Sequence, residues 1–311
     1  MKLVVFNEGR PGLLTDRGII DVSKVVLPLG GHDGMRAIIE RFDELQPRLR
    51  ELAEKGVALP LESVTLKAPL PRATLLAMGG NYRENGHREP SPMWGFLKST
   101  DSIVGNGATV VLPDVDANIF HHEAELVVVF GKAGDHIPEA QALEYVFGFT
   151  CGVDVSARMP ARAGGGIDRT RMPLAGHKSY NGFSPLGPCI TTMDEIGDTR
   201  QLDVRLWVSG ELRPNYNTSD LAHSIAESIA WATAITPVQP GDVLFMGTNH
   251  QGLGALQDRD HVEMEITNIG RLSFDVVDPL KRRWPRGVDE VTAADIRANA
   301  GPPGSKSRPL A

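Results

Sequence analysis

The sequence predicts a strand-rich fold with few helices, and three observations carry that prediction. Glycine and proline are abundant, with 33 and 22 residues spread along a chain of 311, which indicates frequent turns. The apolar segments are short and rich in β-branched residues, as strands usually are. Stretches with the apolar spacing of an amphipathic helix are fewer.

Seven apolar segments are predicted to be strands. They are Lys2–Phe6, Ala108–Leu112, Leu126–Phe130, Val204–Val208, Val243–Met246, Val262–Ile266 and Leu272–Val277. In two of them, Val204–Val208 and Val262–Ile266, apolar and polar residues alternate, which is the pattern of a strand with one buried face.

Two longer stretches are predicted to be helices. Asp33–Leu49 has apolar residues at helical spacing, and Pro47 is expected to end it because proline interrupts a helix. Asn217–Thr236 has an apolar stripe that follows three candidate capping residues. These are Thr218, Ser219 and Asp220.

The chain divides by composition into three parts. We expect a small N-terminal domain over residues 1–70, a main domain over 71–280 and a C-terminal extension over 281–311. The extension is polar and rich in proline and glycine, and such tails are usually disordered. Thr292 and Asp295 suggest one short helix within it.

Charge and cysteine content exclude several classes of protein. A formal charge of −7 argues against binding to nucleic acid or to an anionic membrane surface. Cys151 and Cys189 are the two cysteines, too few for a disulfide scaffold, so a reducing cytoplasm is expected. No stretch has the ~18–20 apolar residues of a membrane span, and the N-terminus lacks a signal-peptide pattern.

Two acidic residues lie in an otherwise apolar segment, HHEAELVVVFGK, from His121 to Lys132. If the segment is a strand, Glu123 and Glu125 share one face with His121. The two carboxylates then face water, pair with basic side chains, or share a divalent cation. A shared cation needs a third oxygen ligand, and His121 is more often a hydrogen-bonding neighbour of such a pair than a ligand.

Three further segments offer chemistry. Asp154 lies among small and apolar residues in GFTCGVDVSARMP, as a functional acid or as a helix cap. Lys178, in AGHKSYNGFSPLGP, is by itself most simply a surface charge. PGDVLFMGTNHQGLG runs from a strand into a glycine-rich loop whose N–H groups are able to hold an anion. The spacing of a P-loop is absent from it.

Seven motifs between Leu76 and Val277 together resemble the fumarylacetoacetate hydrolase family. MGGNYREN is similar to its G-x-N-Y segment, and GFLKST to its F-x-K-P segment, with Ser99 at the usual proline. HHEAELVVVFGK is similar to its E-x-E-L strand and GVDVSAR to its D-x-[ST]-A-R motif. The remaining three are GHKSYNGFSPLGP, NTSDLAHSIAESIAWAT and PGDVLFMGTNHQGLG, and all seven occur in the family's order.

The resemblance implies a fold and a metal. The fold is α+β and β-rich, a curled mixed sheet of the β-roll type with a small N-terminal domain, usually in a homodimer. The metal is Mg²⁺ or Mn²⁺, replaceable by Ca²⁺ in a crystal, held by Glu123, Glu125 and Asp154. Lys178 is expected to donate to the substrate, a small oxo acid such as an acylpyruvate or an aromatic ring-cleavage product. Substrate contacts are expected from Tyr82, Lys98, Arg158, Thr248 and Gly252.

The chain departs from the family where water would be activated. Hydrolytic members often have a His-x-x-Glu pair after G-x-N-Y, but here those positions are Asn85 and Arg88. His87 is the candidate base, oriented by Glu84 or Glu89, or it is a surface histidine. After the aspartate motif, Met159 and Ala161 stand where Asp and Gln are common. Three arginines in that loop are candidates for contact with an anionic substrate: Arg162, Arg169 and Arg171.

Three functions therefore compete. The leading hypothesis is a metal-dependent hydrolase that cleaves a C–C bond in a β-diketo or oxo acid. The second is a family member without an attacking water: a decarboxylase, a keto–enol tautomerase or isomerase, or a lyase. The third is a catalytically silent protein that binds metal or ligand on the same fold.

Overall fold

The computed structural model describes residues 1–30, 33–160, 177–299 and 306–310, in which two β-sheets and six short helices form. The strands are β1 (Lys2–Phe6), β2 (Arg10–Thr15), β3 (Gly18–Asp21), β4 (Ala58–Leu59), β5 (Leu66–Lys67), β6 (Leu75–Gly79), β7 (Trp94–Lys98), β8 (Ile103–Val104), β9 (Ala108–Val111), β10 (Ile119–Phe130), β11 (Val146–Arg158), β12 (Ser184–Thr192), β13 (Asp203–Val208), β14 (Glu211–Asn217), β15 (Val243–Phe245), β16 (His261–Ile266) and β17 (Gly270–Val277). The helices are α1 (Ser23–Gly30), α2 (Gly34–Glu40), α3 (Phe42–Lys55), α4 (Met193–Ile196), α5 (Ile225–Thr233) and α6 (Glu290–Arg297).

The larger sheet has twelve strands, ten of them in the order β4-β3-β2-β1-β12-β11-β10-β15-β6-β7. The short strands β5 and β8 pair with β1 and β12. The smaller sheet has the order β14-β13-β16-β17-β9. Both sheets are mixed, because β15–β6 and β17–β9 are parallel pairs among antiparallel ones. The N-terminal strands join the larger sheet through β1 and β12, and the proposed domain boundaries stay a prediction.

The strands β10 and β11 form the longest pairing in the molecule and are buried along almost their whole length. The two faces of β10 contribute to different cores. Ala124, Leu126 and Val128 belong to one apolar cluster, whereas Val127 and Val129 belong to the other. Because side chains alternate along a strand, Glu123 and Glu125 continue the face of the two valines. A buried acidic patch therefore replaces the apolar face at one end of β10.

The seven predicted strands are all confirmed, and the strand-rich character with few helices follows from them. Most boundaries agree within two residues. The main difference is Leu126–Phe130, which forms the last part of the much longer β10. The acids at its beginning interrupted the apolar run on which the sequence-based prediction rested.

The first predicted helix is wrong in its continuity and in its end. Two helices, α2 and α3, meet at Arg41, and α3 continues through Pro47 to Lys55. Pro47 lies on the exposed face, between the buried residues Leu45 and Leu49. Burial of that apolar face stabilises the helix past a residue that lacks one backbone donor.

The second predicted helix is shorter than expected. α5 begins after Ser224, whose hydroxyl accepts from the N–H of Glu227 while the Glu227 carboxylate accepts from the N–H of Ser224. This reciprocal capping box sets the start of the helix. The residues predicted as caps, Thr218, Ser219 and Asp220, instead form a 3₁₀ turn. None of the helices in the described ranges has the length and apolar character to cross a bilayer.

The C-terminal extension is folded where the structure describes it, although tails of this composition are usually disordered. Trp284 is 3% exposed, and its indole N–H donates to the Asn118 carbonyl at 2.7 Å. The ring also packs edge-on against Phe120, at 6.1 Å between centroids. The expected short helix is α6. Burial of Trp284 thus offsets the conformational entropy that is lost when this polar segment becomes ordered.

Replacement of this anchor should destabilise the fold. We expect Trp284→Ala to lower the free energy of unfolding by about 3–5 kcal/mol, the range for large aromatic truncations in a core. Val57→Ala is the control, because Val57 is 88% exposed. It should cost under about 1 kcal/mol. Urea unfolding followed by circular dichroism compares them, and equal losses would contradict the anchoring role of Trp284.

Candidate metal centre

Three buried carboxylates meet on the β10–β11 pair. Glu123 lies directly opposite Asp154 in the antiparallel register, and Glu125 follows on the same face of β10. Their exposed fractions are 5%, 0% and 1%, respectively. One ligand oxygen from each lies within 4.8 Å of the others. The strand periodicity brings the two glutamates together, and the register adds the aspartate.

Two lysines contact these carboxylates from outside the pair. Lys178 Nζ donates to Glu123 Oε2 at 2.8 Å, to Asp154 Oδ2 at 2.5 Å and to Ser156 Oγ at 2.7 Å. Lys98, the last residue of β7, contacts Asp154 Oδ1 and donates to the Phe183 carbonyl at 2.8 Å. Both ammonium groups are buried, where ion pairs gain from low local dielectric only if their hydrogen bonds are satisfied.

Glu125 differs from the other two acids, because its hydrogen-bond donor within the described residues is a backbone N–H and not a lysine. Gly247 donates to its Oε2 at 2.6 Å. Burial, together with the nearby charges of Asp154 and Glu123, raises the pKa of Glu125 well above its usual value. Negative charge at this position is therefore poorly compensated by the side chains alone.

The other charges at the centre respond to their ion pairs. Burial opposes the charge on Glu123, but Arg158 and Lys178 outweigh it and hold the pKa of Glu123 well below its usual value. Burial would also lower the pKa of Lys178, yet Asp154 and Glu123 raise it. At Lys98, burial prevails over the attraction of Asp154 and lowers the pKa.

The donor set and its spacing fit a hard divalent cation. Such ions prefer carboxylate oxygens, and two oxygens on opposite sides of an ion with bonds of ~2.1 Å are about 4.2 Å apart. A spread of up to 4.8 Å thus differs from one coordination sphere by about 0.6 Å, which small side-chain rotations can close. A cation here would also neutralise Glu125, the acid with the weakest compensation.

Arg158 and His121 extend the centre toward the C-terminal extension. Arg158 Nη2 contacts Glu123 Oε1, and Arg158 Nε donates to His121 Nδ1 at 3.2 Å. The other ring nitrogen of His121 lies 3.1 Å from Asp289 Oδ2. Burial is the main reason that the pKa of His121 falls to about 4, so the imidazole is neutral at physiological pH. His121 therefore contacts Arg158, and it is not one of the three residues of the carboxylate cluster.

The remaining predicted substrate contacts lie around the glycine-rich loop. Tyr82 is buried, with its ring edge-on to Tyr216 at 4.8 Å, and Thr248 is buried in the loop itself. At Gly252 a Cβ atom would lie 2.6 Å from the Cα of Pro214, so glycine is needed for close backbone packing.

The N–H groups beyond Gly252 have partners within the protein. Leu253 donates to the His250 carbonyl at 3.2 Å, and Gly254 donates to His122 Nε2 at 3.2 Å. An anion would have to displace these contacts, and the expectation that these N–H groups hold one stays a prediction. The loop uses them to fix its own shape against β10.

His87 and Glu84 lie in very different surroundings. His87 is exposed on a turn, and its N–H donates to the Glu84 carbonyl at 3.2 Å. Glu84 is 2% exposed and contacts another histidine. Its Oε2 accepts from the N–H of His250 at 2.8 Å, and its Oε1 lies 2.5 Å from His250 Nδ1. His250 follows Gly247 by three residues, and the N–H of Gly247 donates to Glu125 at 2.6 Å, so His250 lies on a loop that contacts the carboxylate cluster.

His250 was missed in the sequence analysis, although a signal for it exists. The family segment reads T-G-T-P-x-G, whereas this chain reads M-G-T-N-H-Q-G and has one more residue before the glycine Gly252. The extra residue marks where a histidine enters the loop. Ala161, Arg162, Arg169 and Arg171 lie outside the described residues.

The turn that carries Glu84 has an uncommon backbone. Glu84 and Asn85 both have φ of +56°, and Gly86 has φ of +80°. Left-handed conformations of non-glycine residues persist where the surroundings hold them. Here His250 binds the Glu84 carboxylate, and Asp220 Oδ2 accepts from the Asn85 N–H at 2.9 Å. The contact between Glu84 and His250 thus holds the turn against the glycine-rich loop.

The site is thus a buried triad of carboxylates with two lysines on a strand-rich mixed sheet, an arrangement that suits a divalent cation. The family model described as fumarylacetoacetate (FAA) hydrolase C-terminal matches residues 73–277, about two thirds of the chain. The chain belongs to this family, and its α+β, β-rich fold class is confirmed.

Similar proteins carry different activities in their names. Maleylpyruvate hydrolase of Aquipseudomonas alcaligenes is 30% identical over 300 residues, 88% of this chain and 98% of the relative. The mitochondrial oxaloacetate tautomerase of Rattus norvegicus is 33% identical over 240 residues, 73% and 74% of the two chains. The solved maleylpyruvate hydrolase of Sphingobium sp. SYK-6, in complex with manganese(II) and pyruvate, has a TM-score of 0.79 and 31% identity, covering 89% of this chain and 99% of its own. The family thus includes hydrolases and non-hydrolytic enzymes.

The buried lysine contacts predict a large effect of substitution. Lys98→Met should lower the free energy of unfolding by about 3–5 kcal/mol, because it removes the donor to the buried Asp154 Oδ1 and to the Phe183 carbonyl. Lys281→Met is the matched control, since Lys281 is 62% exposed in its ion pair with Asp258. That surface pair should matter little. Denaturant unfolding measures both variants, and a parental stability of Lys98→Met would contradict the role of the buried pair.

Proposed function

We propose that the protein is a divalent-metal-dependent hydrolase that cleaves a C–C bond in a small β-diketo or oxo acid of the acylpyruvate type. The observation that carries this proposal is the convergence of Glu123, Glu125 and Asp154 beside Lys178. The manganese and pyruvate bound by a solved relative support the choice of substrate class. The chain belongs to an enzyme family, and the reaction and the substrate are our proposal.

Glu123, Glu125 and Asp154 would hold Mg²⁺ or Mn²⁺, and the all-oxygen donor set supports that choice. The ion, when bound, supplies Lewis acidity and a template for a keto acid. The protein contributes burial. With exposed fractions of 5% or less at all three acids, charges that develop on a substrate meet little competition from water.

Lys178 is proposed to stabilise the negative charge that develops on the substrate. In hydrolysis, a water oxygen adds to the acyl carbon, and the bond from that carbon to the neighbouring methylene breaks. The electron pair forms an enolate, whose carbon then takes a proton. An ammonium group has three N–H donors, and all three of Lys178 have acceptors in the structure. Donation to an enolate oxygen therefore requires exchange of one of these contacts.

His250, oriented by Glu84, is proposed as the proton-transfer group in place of the predicted His87. Both Glu84 oxygens face hydrogen-bond donors of His250, so Nδ1 carries the proton and Nε2 of the neutral ring is the base. This carboxylate–imidazole arrangement is the one that orients general bases. His250 would take a proton from the attacking water and return it to the enolate carbon, so protons balance.

A non-hydrolytic reaction is the second candidate. Keto–enol tautomerisation needs the same enolate stabilisation and the same base, but no attacking water. The oxaloacetate tautomerase among the relatives supports it, and decarboxylase or lyase activity belongs to the same class of alternatives. A silent metal- or ligand-binding protein is the third candidate, and loss of the parent's turnover on substitution of Glu123 or Asp154 would exclude it.

We further propose a homodimer in the cytoplasm. The edge strand β7 exposes Trp94 and Leu97, with exposed fractions of 51% and 55%, and Ile235 after α5 is 66% exposed. An apolar edge of this kind is typical of an interface. The two cysteines, Cys151 and Cys189, are buried free thiols, which suits a reducing compartment.

Turnover should depend on Glu125. With maleylpyruvate and other acylpyruvates as substrates, we expect EDTA to abolish activity and Mg²⁺ or Mn²⁺ to restore it. Glu125→Gln should lower turnover at limiting metal by at least about 100-fold, because even outer partners of metal ligands cost 10–100-fold. The control is Glu265→Gln on the partly exposed strand β16, which should change turnover less than about twofold.

The products distinguish the candidate reactions. In H₂¹⁸O, hydrolysis places one labelled oxygen in the released carboxylic acid. Enol loss from oxaloacetate without cleavage, or release of CO₂, would instead favour the non-hydrolytic reading. Metal-independent turnover of every substrate would contradict the proposed site.

The choice of base has its own test. His250→Gln should lower kcat by about 10²–10⁴-fold, the usual contribution of a positioned general base. His87→Gln, the same change at the exposed position, should leave kcat within about twofold. Steady-state kinetics with saturating Mg²⁺ measures both, and the reverse ranking would return the role to His87.

A further inference from the structure

The C-terminal extension contacts the segments that surround the carboxylate cluster, although it lies beyond residues 73–277, which match the family model. The Asp289 N–H donates to the Leu253 carbonyl at 2.8 Å, on the glycine-rich loop. The Gly287 carbonyl lies 2.5 Å from where a Cβ atom on Gly254 would be. The extension is therefore packed tightly against one wall of the site.

Asp289 is the point where the extension is bound together. As the N-cap of α6, its Oδ1 accepts from the N–H groups of Val291 and Thr292 at 3.2 and 3.3 Å. Its Oδ2 accepts from the Thr292 hydroxyl at 2.7 Å, and both oxygens accept from Ser307. The same Oδ2 lies 3.1 Å from His121 Nε2, so one carboxylate joins the extension to β10.

The tautomer of His121 follows from its two neighbours. The guanidinium of Arg158 has only donors, so His121 Nδ1, at 3.2 Å from Arg158 Nε, must accept. A neutral ring that accepts at Nδ1 carries its proton at Nε2, and this N–H donates to Asp289. The carboxylate of Asp289 thus selects the tautomer that Arg158 requires.

Arg158 completes the connection to a proposed metal ligand. Its Nη2 contacts Glu123 Oε1, while Glu123 Oε2 accepts from Lys178 at 2.8 Å. The guanidinium is planar and rigid, so holding its Nε fixes the direction of its Nη2. The orientation of Glu123 is then set by a chain of contacts that begins in the extension.

We propose that Asp289 is a positioning residue for the metal centre, acting through His121 and Arg158 on Glu123. The proposal rests on the proposed function, because it assigns a cation to Glu123. The C-terminal extension is then part of the active site rather than an appendage. Partners of this kind typically contribute 10–100-fold to metal affinity without touching the ion.

Asp289→Asn separates positioning from structural support. Asparagine caps helices as well as aspartate, so its carbonyl oxygen keeps the bonds to Val291 and Thr292. The hydroxyls of Thr292 and Ser307 can reverse to accept from the new amide. His121 cannot do so without a conflict, because accepting at Nε2 moves its proton to Nδ1 and against the Arg158 N–H.

Isothermal titration of the metal-depleted full-length protein with Mn²⁺, without substrate, measures the effect. We expect Asp289→Asn to weaken Mn²⁺ binding about 10–100-fold, with a urea midpoint close to that of the parent. Asp295→Asn is the matched control in the same helix. Asp295 Oδ1 accepts from Lys306 at 2.8 Å, a contact that asparagine retains, and Mn²⁺ binding should change less than about twofold.

Two outcomes would overturn the inference: parental Mn²⁺ affinity in Asp289→Asn, or equal weakening in Asp289→Asn and Asp295→Asn. His121→Phe, which removes both ring contacts, should weaken binding as much as Asp289→Asn, and the double variant should add little. Failure of the proposed function would give a different result, because the parent protein itself would then bind no Mn²⁺ at Glu123, Glu125 and Asp154.

Discussion

The structure depends on mutual compensation of charges that are buried on one strand pair. Glu123 and Asp154 face each other across β10 and β11, where isolated carboxylates would be prohibitively costly. Lys178 bridges both acids, Lys98 donates to Asp154 from the edge strand β7, and the N–H of Gly247 donates to Glu125. Each ammonium therefore fixes the position of a separate chain segment relative to the central hairpin.

Compensation within the protein is incomplete, and the incomplete part gives the site its chemistry. The pKa of Glu125 is raised because burial and two neighbouring acids oppose its charge. The N–H of Gly247 donates a hydrogen bond to its carboxylate. Such an imbalance suits a site that takes up positive charge. The proposed cation and the proposed keto acid follow from this imbalance more directly than from any single motif.

Two surrounding segments are held close to the carboxylate cluster by polar contacts, one through the glycine-rich loop and one through β10. The turn at Glu84 is latched to His250, and the C-terminal extension reaches His121 through Asp289. In both cases a histidine lies between an acid and the site. A neutral imidazole has one donor and one acceptor, so it can orient the groups on its two sides without adding charge to a crowded acidic centre.

The sequence by itself determined the strands and the identity of the acids. Alternation along β10 puts Glu123 and Glu125 on one face, and the motif order indicated Asp154 and Lys178 as their neighbours. It did not determine His250 or Asp289, because their roles depend on loops and an extension that meet only in the folded chain. Glu84 illustrates the reason: the sequence places it three residues from His87, yet tertiary packing turns its carboxylate to His250, 166 residues away. Local periodicity is readable from sequence, whereas the partner of a buried polar group is decided by which segments pack together.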